Sequence, residues 1–301
     1  MDLRDVIRVA LRALARNKLR TVLTMLGIII GVGAVICTVA IGEGASNQVQ
    51  EQIKNLGDNM LFIQAGSINQ GGVRLGSQAT KTLTVDDAKA IAQQIPSVTR
   101  VCPVVGAAGQ VVYGNQNWFT RFQGVSPEYL QIRRWPLAEG SIFSDRDVDV
   151  AANLAVLGQT VAENLFGNDD PVGKTIRVKD IPFLVIGELA SKGQSPFGQD
   201  EDDTILMPYT TVQKKIAGID WLQSIMCSTN SPDTMNSAQQ QIASLLRQRH
   251  KLRSSEGDDF IIRNPTDLAT AQAQTGRVMT LLLASIASVS LLVGGIGIMN
   301  I

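Results

Sequence analysis

Two charge-free apolar runs bracket this chain, and a long polar stretch lies between them. Residues 21–41 (TVLTMLGIIIGVGAVICTVAI) form the first run and residues 278–301 (VMTLLLASIASVSLLVGGIGIMNI) the second. Wound as a helix rising ~1.5 Å per residue, either run is long enough to cross ~30 Å of hydrocarbon. Lipid offers the backbone no hydrogen-bond partners, so such a segment must be helical. The sequence therefore predicts two transmembrane helices, with residues 42–277 held on one side of the bilayer.

The flanks set the side. Arg4, Arg8, Arg12, Arg16, Lys18 and Arg20 precede the first run against only Asp2 and Asp5. Basic residues so close to a span keep their end cytoplasmic. The remaining twenty-one basic and twenty-five acidic residues fall in 42–277, so a formal net charge of zero hides a basic end and a mildly acidic middle. The N-terminus is expected in the cytoplasm, the middle outside it, and the second span returning inward. A cleaved signal peptide fits less well, because its apolar core runs ~7–15 residues against twenty-one here. Ala34-Val35-Ile36 before Cys37 is also a poor lipoprotein cleavage box. A buried core helix explains either run but not the cationic flank. Because Ile301 falls inside apolar sequence with no anchoring charge after it, the chain is expected to be the front part of a longer membrane protein.

Arg4, Arg8, Arg12 and Arg16 recur every four residues, with Leu3, Val6, Ile7, Ala10, Leu11 and Leu14 on the remaining arc. Residues 1–20 thus read as a basic amphipathic helix suited to an anionic membrane surface. A merely solvated leader that orients the span is the plainer alternative. Past the first run, Ala45, Val49, Ile53 and Leu56 keep helical spacing as far as Gly57. Pro265 and Thr266 open a mirrored segment in which Leu268, Ala269 and Ala273 lead into Val278. Both spans are expected to project stalks that pack on each other.

Residues 42–277 read as a mixed α+β domain. Strands are predicted at Met60–Ala65, Val98–Tyr113, 118–125, Thr175–Val178, 182–189, 205–207, 224–228 and Phe260–Arg263. Residues 175–189 form a hairpin turned at Lys179-Asp180. Thr84 with Asp87 three residues on is a capped helix start, stopped by Pro96. A short helix is placed within 156–166, and Met235, Ala238, Ile242, Leu245 and Arg249 mark another. Strand, helix and strand at each end imply one subdomain built from both ends, with a β-rich subdomain inserted over roughly 100–220. The fold class is thus membrane α-helical plus α+β.

Several chemical look-alikes fail on inspection. GNDDPVGKT at 167–175 imitates a phosphate loop, but five residues separate Gly167 from Gly173 and β-branched Ile176 and Val178 follow. A phosphate loop needs one residue fewer and a helix next. Asp145, Asp147 and Asp149 imitate a calcium loop, yet Val150 stands where glycine is needed and Val156 where glutamate is. Gln199-Asp200-Glu201-Asp202-Asp203 reads most simply as a solvated loop tip. His250 is the single histidine, which leaves no His-based metal cluster or nucleophile–base pair. Neither a catalytic nor a metal site is expected, and although the stripe of arginines would also suit nucleic acid, the adjacent span argues against it. Cys102 and Cys227 share the oxidising side, so both a disulfide and two buried thiols stay open. Within the runs, Gly27, Gly31 and Gly33, and Gly294, Gly295 and Gly297, provide small faces for close helix packing. Glycine is also simply common in membrane helices.

Residues 10–31, Pro171-Val172-Gly173-Lys174 with Phe183-Leu184-Val185-Ile186-Gly187, Met207-Pro208-Tyr209, and above all LVGGIGIMNI at 292–301 resemble the MacB-type permeases of ABC transporters. The matches run in order along the whole chain. That resemblance implies a four-span inner-membrane permease, with its large domain periplasmic, that works as a dimer. It also implies a separate cytoplasmic ATPase holding ATP and magnesium, so that this chain carries no cofactor and is no enzyme itself. Stalks would relay ATP-driven closure outward, and the outer domains would drive substrate into a periplasmic adaptor and an outer-membrane channel. The loop 191–204, with Lys192, Gly193, Ser195, Phe197 and Gly198, is expected to be a partner-docking surface. A related permease that regulates an extracytoplasmic hydrolase, a two-span sensor and a membrane-tethered enzyme are the competing readings.

Overall fold

Alternation of apolar and polar residues along the middle of the chain builds one long mixed sheet. The computed structural model describes residues 59–66, 69–70, 73–74, 81–195 and 199–264, together with parts of 22–44 and 274–292. The leader with Arg4, Arg8, Arg12 and Arg16 lies outside the described residues, as do most of both stalks. Two units are distinct: Gln52–Thr266, and Met1–Glu51 with Asp267–Ile301.

The first unit's strands are β1 (Met60–Ala65), β2 (Asn69–Gln70), β3 (Val73–Arg74), β4 (Val98–Tyr113), β5 (Gln116–Val125) and β6 (Leu137–Gly140). They continue as β7 (Leu154–Leu157), β8 (Thr175–Val178), β9 (Ile181–Leu189), β10 (Thr204–Pro208), β11 (Ser224–Thr229) and β12 (Phe260–Arg263). The helices are α1 (Val85–Gln94), α2 (Glu128–Ile132), α3 (Asp145–Asp149), α4 (Gln159–Phe166), α5 (Tyr209–Thr211) and α6 (Met235–Arg249). The sheet runs β12-β1-β11-β4-β5-β10-β7-β9-β6, with β8 bridging β4 and β9. β2 and β3 form a separate small hairpin.

β4 is shared along its length. Residues 98–104 pair with β11 and residues 105–113 pair with β5. At the switch the Gln223 side chain clamps Gly106, accepting from its N–H at 2.7 Å and donating to its carbonyl at 2.9 Å. These bonds satisfy backbone groups that the change of partner would otherwise leave open.

Side chains alternate across the sheet into two buried clusters. Leu61, Ile63, Ile225, Cys227, Ile205 and Met207 face one cluster, which α1, α4 and α6 cover with Ile91, Leu165, Ile242 and Leu246. Met60, Cys102, Met226, Val156 and Leu206 face the other, under Tyr129 and Ile132 of α2, Trp135, Phe143 and Val148. Cys102 stands opposite Met226 and Cys227 opposite Val101, so the two thiols point to opposite faces and do not pair. Burial pushes each of them up to about 12.

The look-alikes take ordinary structural forms. Gly167 and Gly173 have φ of 64° and 81°, turning the chain into β8 instead of opening a helix. Asp147 closes a capping box with Ser144 at the start of α3. Lys179 and Asp180 both have positive φ, as a two-residue hairpin turn requires. The short elements α2, β6, α3 and β7 went unpredicted, since it is packing against their neighbours that holds them.

In the other unit, a Cβ added at Gly42 would stand 2.8 Å from Thr280 Oγ1, so the two apolar segments approach closely there. Gly31 is buried and Gly33 half-buried, with open space around a Cβ placed at Gly33. Gly27, Gly294, Gly295 and Gly297 lie outside the described residues. Among the described residues no helix is long and apolar enough to cross a membrane.

At Gly124 of β5 an added Cβ would meet Tyr209 Cα at 2.9 Å and Val212 Cβ at 2.8 Å. Gly124→Ala should therefore destabilise the domain by about 1–3 kcal/mol, read as a lower urea midpoint with an unchanged slope.

Candidate functional site

Two places in the domain concentrate polar side chains away from water. The first is its root. β1 pairs antiparallel with β12, Phe62 opposite Arg263 and Ala65 opposite Phe260. The polypeptide therefore enters and leaves the domain at neighbouring points, although some 200 residues separate them.

A charged clamp fastens this root to the two helices behind it. Asp87 closes the α1 capping box, accepting from Thr84 N–H at 2.9 Å and Thr84 Oγ1 at 2.7 Å. It also accepts from Arg249 Nε at 2.5 Å, at the end of α6. His250 sits between two carboxylates, Nδ1 at 2.8 Å from Asp259 and Nε2 at 3.4 Å from Asp87. Its ring stands edge-on to Phe260, with centroids 6.0 Å apart. The hydrogen bond to Asp259, then that to Asp87, raises His250 to about 9 against the opposing effect of burial. Burial would raise Asp87, but hydrogen bonds from His250, Arg249 and Thr84 outweigh it and hold the carboxyl well below its ordinary range. The imidazolium is thus the mortar between α1, α6 and the approach to β12.

The second place is the connection from β9 to β10. Its acidic run is an anchor, not a solvated tip. Asp200 accepts from Thr160 Oγ1 at 2.7 Å, and Glu201 pairs with Arg133 at 2.6 Å. Asp202, 4% exposed, accepts from Ser191 Oγ, Lys192 N–H and Gly193 N–H at 2.8–2.9 Å. Asp203 accepts from Trp118 Nε1 at 2.9 Å. Ser195 N–H donates to the Gln199 carbonyl at 2.7 Å, closing the loop's neck.

Lys192 turns inward, its ammonium 5.1 Å from the Trp135 ring centroid and donating to the Arg133 carbonyl at 2.9 Å. Burial, with Arg133 adding to it, lowers Lys192 to about 8. Gly193 takes a positive φ of 79° at the turn. Phe197 and Gly198 lie outside the described residues. Sequence reasoning saw Asp87 only as a cap and His250 only as a lone histidine. It saw Arg249 only as part of a helix face and missed Asp259, because nothing in the sequence links either of them or His250 to Asp87. Among the described residues no group of three or more His, Cys, Asp or Glu is placed to hold a metal ion.

The MacB-like periplasmic core domain family matches residues 21–245. The chain belongs to that family. The macrolide export ATP-binding/permease protein MacB of Rhodospirillum rubrum is 41% identical over 299 residues, covering 99% of this chain and 44% of that protein. Its counterpart in Syntrophobacter fumaroxidans is 36% identical over 352 residues, covering 99% and 49%. The chain thus spans less than half the length of these curated relatives. Among solved structures, the periplasmic region of MacB from Actinobacillus actinomycetemcomitans matches with a TM-score of 0.61 at 26% identity, over 74% of this chain and 97% of that one. The extracellular domain of the ABC-type transporter YknZ from Gram-positive bacteria shares the fold, with a TM-score of 0.56 at 17% identity over 68% and 100%. The mixed sheet carries the MacB-like periplasmic core; Asp87 and the anchored loop fall within residues 21–245, and Arg249, His250 and Asp259 follow them.

Because folding raises the pKa of His250, its stabilisation is complete below about pH 6.5 and is lost as pH rises through about 9. Asp87 acts in the opposite sense, losing its contribution as pH falls below its ordinary 3.8. The MacB-like core should lose about 2–3 kcal/mol between pH 6.5 and 9.5, and His250→Gln should flatten that slope in a calorimetric pH series. Asp202→Ala strands three donors and should cost about 3 kcal/mol, with faster proteolysis between Ser191 and Thr204 than in the parent.

Proposed function

We propose that this chain is the front part of an ABC-transporter permease of the MacB kind, which transmits ATP-driven motion into the periplasm for efflux. In this reading residues 21–41 and 278–301 are inner-membrane helices and residues 42–277 the periplasmic domain. The N-terminus is cytoplasmic. ATP and magnesium belong to the transporter's cytoplasmic ATPase, a second permease completes a dimer, and a periplasmic adaptor with an outer-membrane channel receives the substrate. The chain itself performs no chemistry.

The observation that carries the reading is the root. Both ends of the domain emerge from adjacent, hydrogen-bonded strands, so a displacement of the paired apolar segments is delivered to β1 and β12 together. The clamp of Asp87, Arg249, His250 and Asp259 then carries the load into α1 and α6. Two further features fit. Ile29, Ile36, Ile41, Leu281 and Leu292 are 61–72% exposed along the apolar segments, as lipid-facing side chains would be. The two segments also approach closely at Gly42 and Thr280.

Gly42→Cys with Thr280→Cys places two thiols within bonding reach and tests this directly. In the full permease with its ATPase, oxidation should abolish ATP-dependent efflux while nucleotide binding persists, and reductant should restore it. Undiminished efflux by a fully crosslinked protein would sink the mechanical reading.

A further inference from the structure

Among the described strands, β12 stands at one end of the long sheet and pairs only on its β1 side. The ladder fixes which of its backbone groups are used. Gly66 N–H donates to the Asp259 carbonyl at 2.8 Å, whereas Ala65 N–H points the other way, to the Gln223 carbonyl at 3.5 Å. Bonding residues alternate along an antiparallel pair, and Ala65 lies opposite Phe260 and Ile63 opposite Ile262. Phe260 and Ile262 therefore turn their N–H and C=O groups outward, away from β1.

A groove of about 640 Å3 runs along this edge. Phe260, Ile261 and Ile262 form one wall, and Asn236, Gln239, Gln240 and Ala243 of α6 form the other. Among the described residues the three carboxamides have no hydrogen-bond partner. Each can both donate and accept, as a peptide group does. An edge is often no more than solvated surface, but natural edges of that kind are guarded by charge, proline or a bulge. Phe260, Ile261 and Ile262 carry none of these. Charge enters only at the two ends. Asp258 at one is held by Arg247. Arg263 at the other is exposed and has no carboxylate partner among the described residues.

We propose that β12 receives an extended segment of another polypeptide as an added antiparallel strand, with an Asp or Glu of that segment opposite Arg263. Such a strand takes up the outward groups of Phe260 and Ile262, while the carboxamides of α6 meet its backbone from above. An uncharged, β-branched stretch after the acidic residue suits the groove, whose walls between the two ends are apolar and amide. What the edge presents is backbone, and only a strand is complementary to that. Occupancy lengthens the root sheet by one strand beside the clamp, and it requires no part in efflux.

The peptide Ac-Glu-Val-Thr-Val-Thr-NH2 is a suitable probe. The same peptide N-methylated at both valines is the control, since those N–H groups face Ile262 and Phe260 in the added strand. The full chain in lipid nanodiscs, titrated calorimetrically at neutral pH against empty nanodiscs, should bind the probe saturably and the methylated peptide at least tenfold more weakly. Arg263→Glu should weaken the probe at least fivefold and bind the peptide with Lys in place of Glu instead, its melting temperature staying within a few degrees of the parent. Absence of saturable binding at millimolar probe, equal binding of the methylated peptide, or no exchange of preference in Arg263→Glu would overturn the proposal. A disulfide between two Ile261→Cys chains, formed in preference to peptide binding, would assign the edge to a second copy and overturn it too.

Discussion

The antiparallel pairing of β1 with β12 is the constraint from which the remaining architecture follows. It joins the first and last strands of the domain, Ala65 opposite Phe260, and so closes a loop of roughly 200 residues at an entropic cost that grows only slowly with length. β11 completes a three-stranded root, and the chain leaves along β4 and comes back along β11, the strand beside it. The pairing is short, only four residues on each strand. It needs support, and the buried clamp behind it supplies that.

The clamp shows how buried charge is made tolerable. Asp87 and His250 are both nearly inaccessible, and each alone would be costly in that position. Together with Asp259, Arg249 and the Thr84 cap they satisfy one another. The same logic governs the β9–β10 connection, where four consecutive acidic residues each find a donor on a different part of the chain: Thr160, Arg133, the 191–193 turn and Trp118. A segment that composition marks as solvated becomes a rivet between α4, α2 and β5. Rigidity at both places suits a domain whose proposed task is to move as a body.

The regular elements were legible because their signals are local. Period-two alternation announced β1, β4, β5, β8, β9 and β12, the Thr84–Asp87 spacing announced α1, and period 3.6 announced α6. The phosphate-loop and calcium-loop imitations were rejected on spacing alone, and their backbone agrees: a turn into β8 in one case and a capped short helix in the other. α2, β6, α3 and β7 escaped, since they are held by neighbours in space and not by their own pattern.

What the amino-acid sequence determined by itself was the division of labour: charge-free ends, a basic leader, and a central stretch patterned for strands and helices. Hydrophobicity and charge act over adjacent residues, so they can be read along a line. What only the tertiary structure decided was which distant groups meet. Asp87 and His250 are 163 residues apart, Arg133 and Glu201 68 apart, and Cys102 and Cys227 sit on neighbouring strands yet face opposite ways. Those encounters are set by strand order and register, which arise when the whole sheet assembles, and no stretch of sequence short enough to carry a motif contains them.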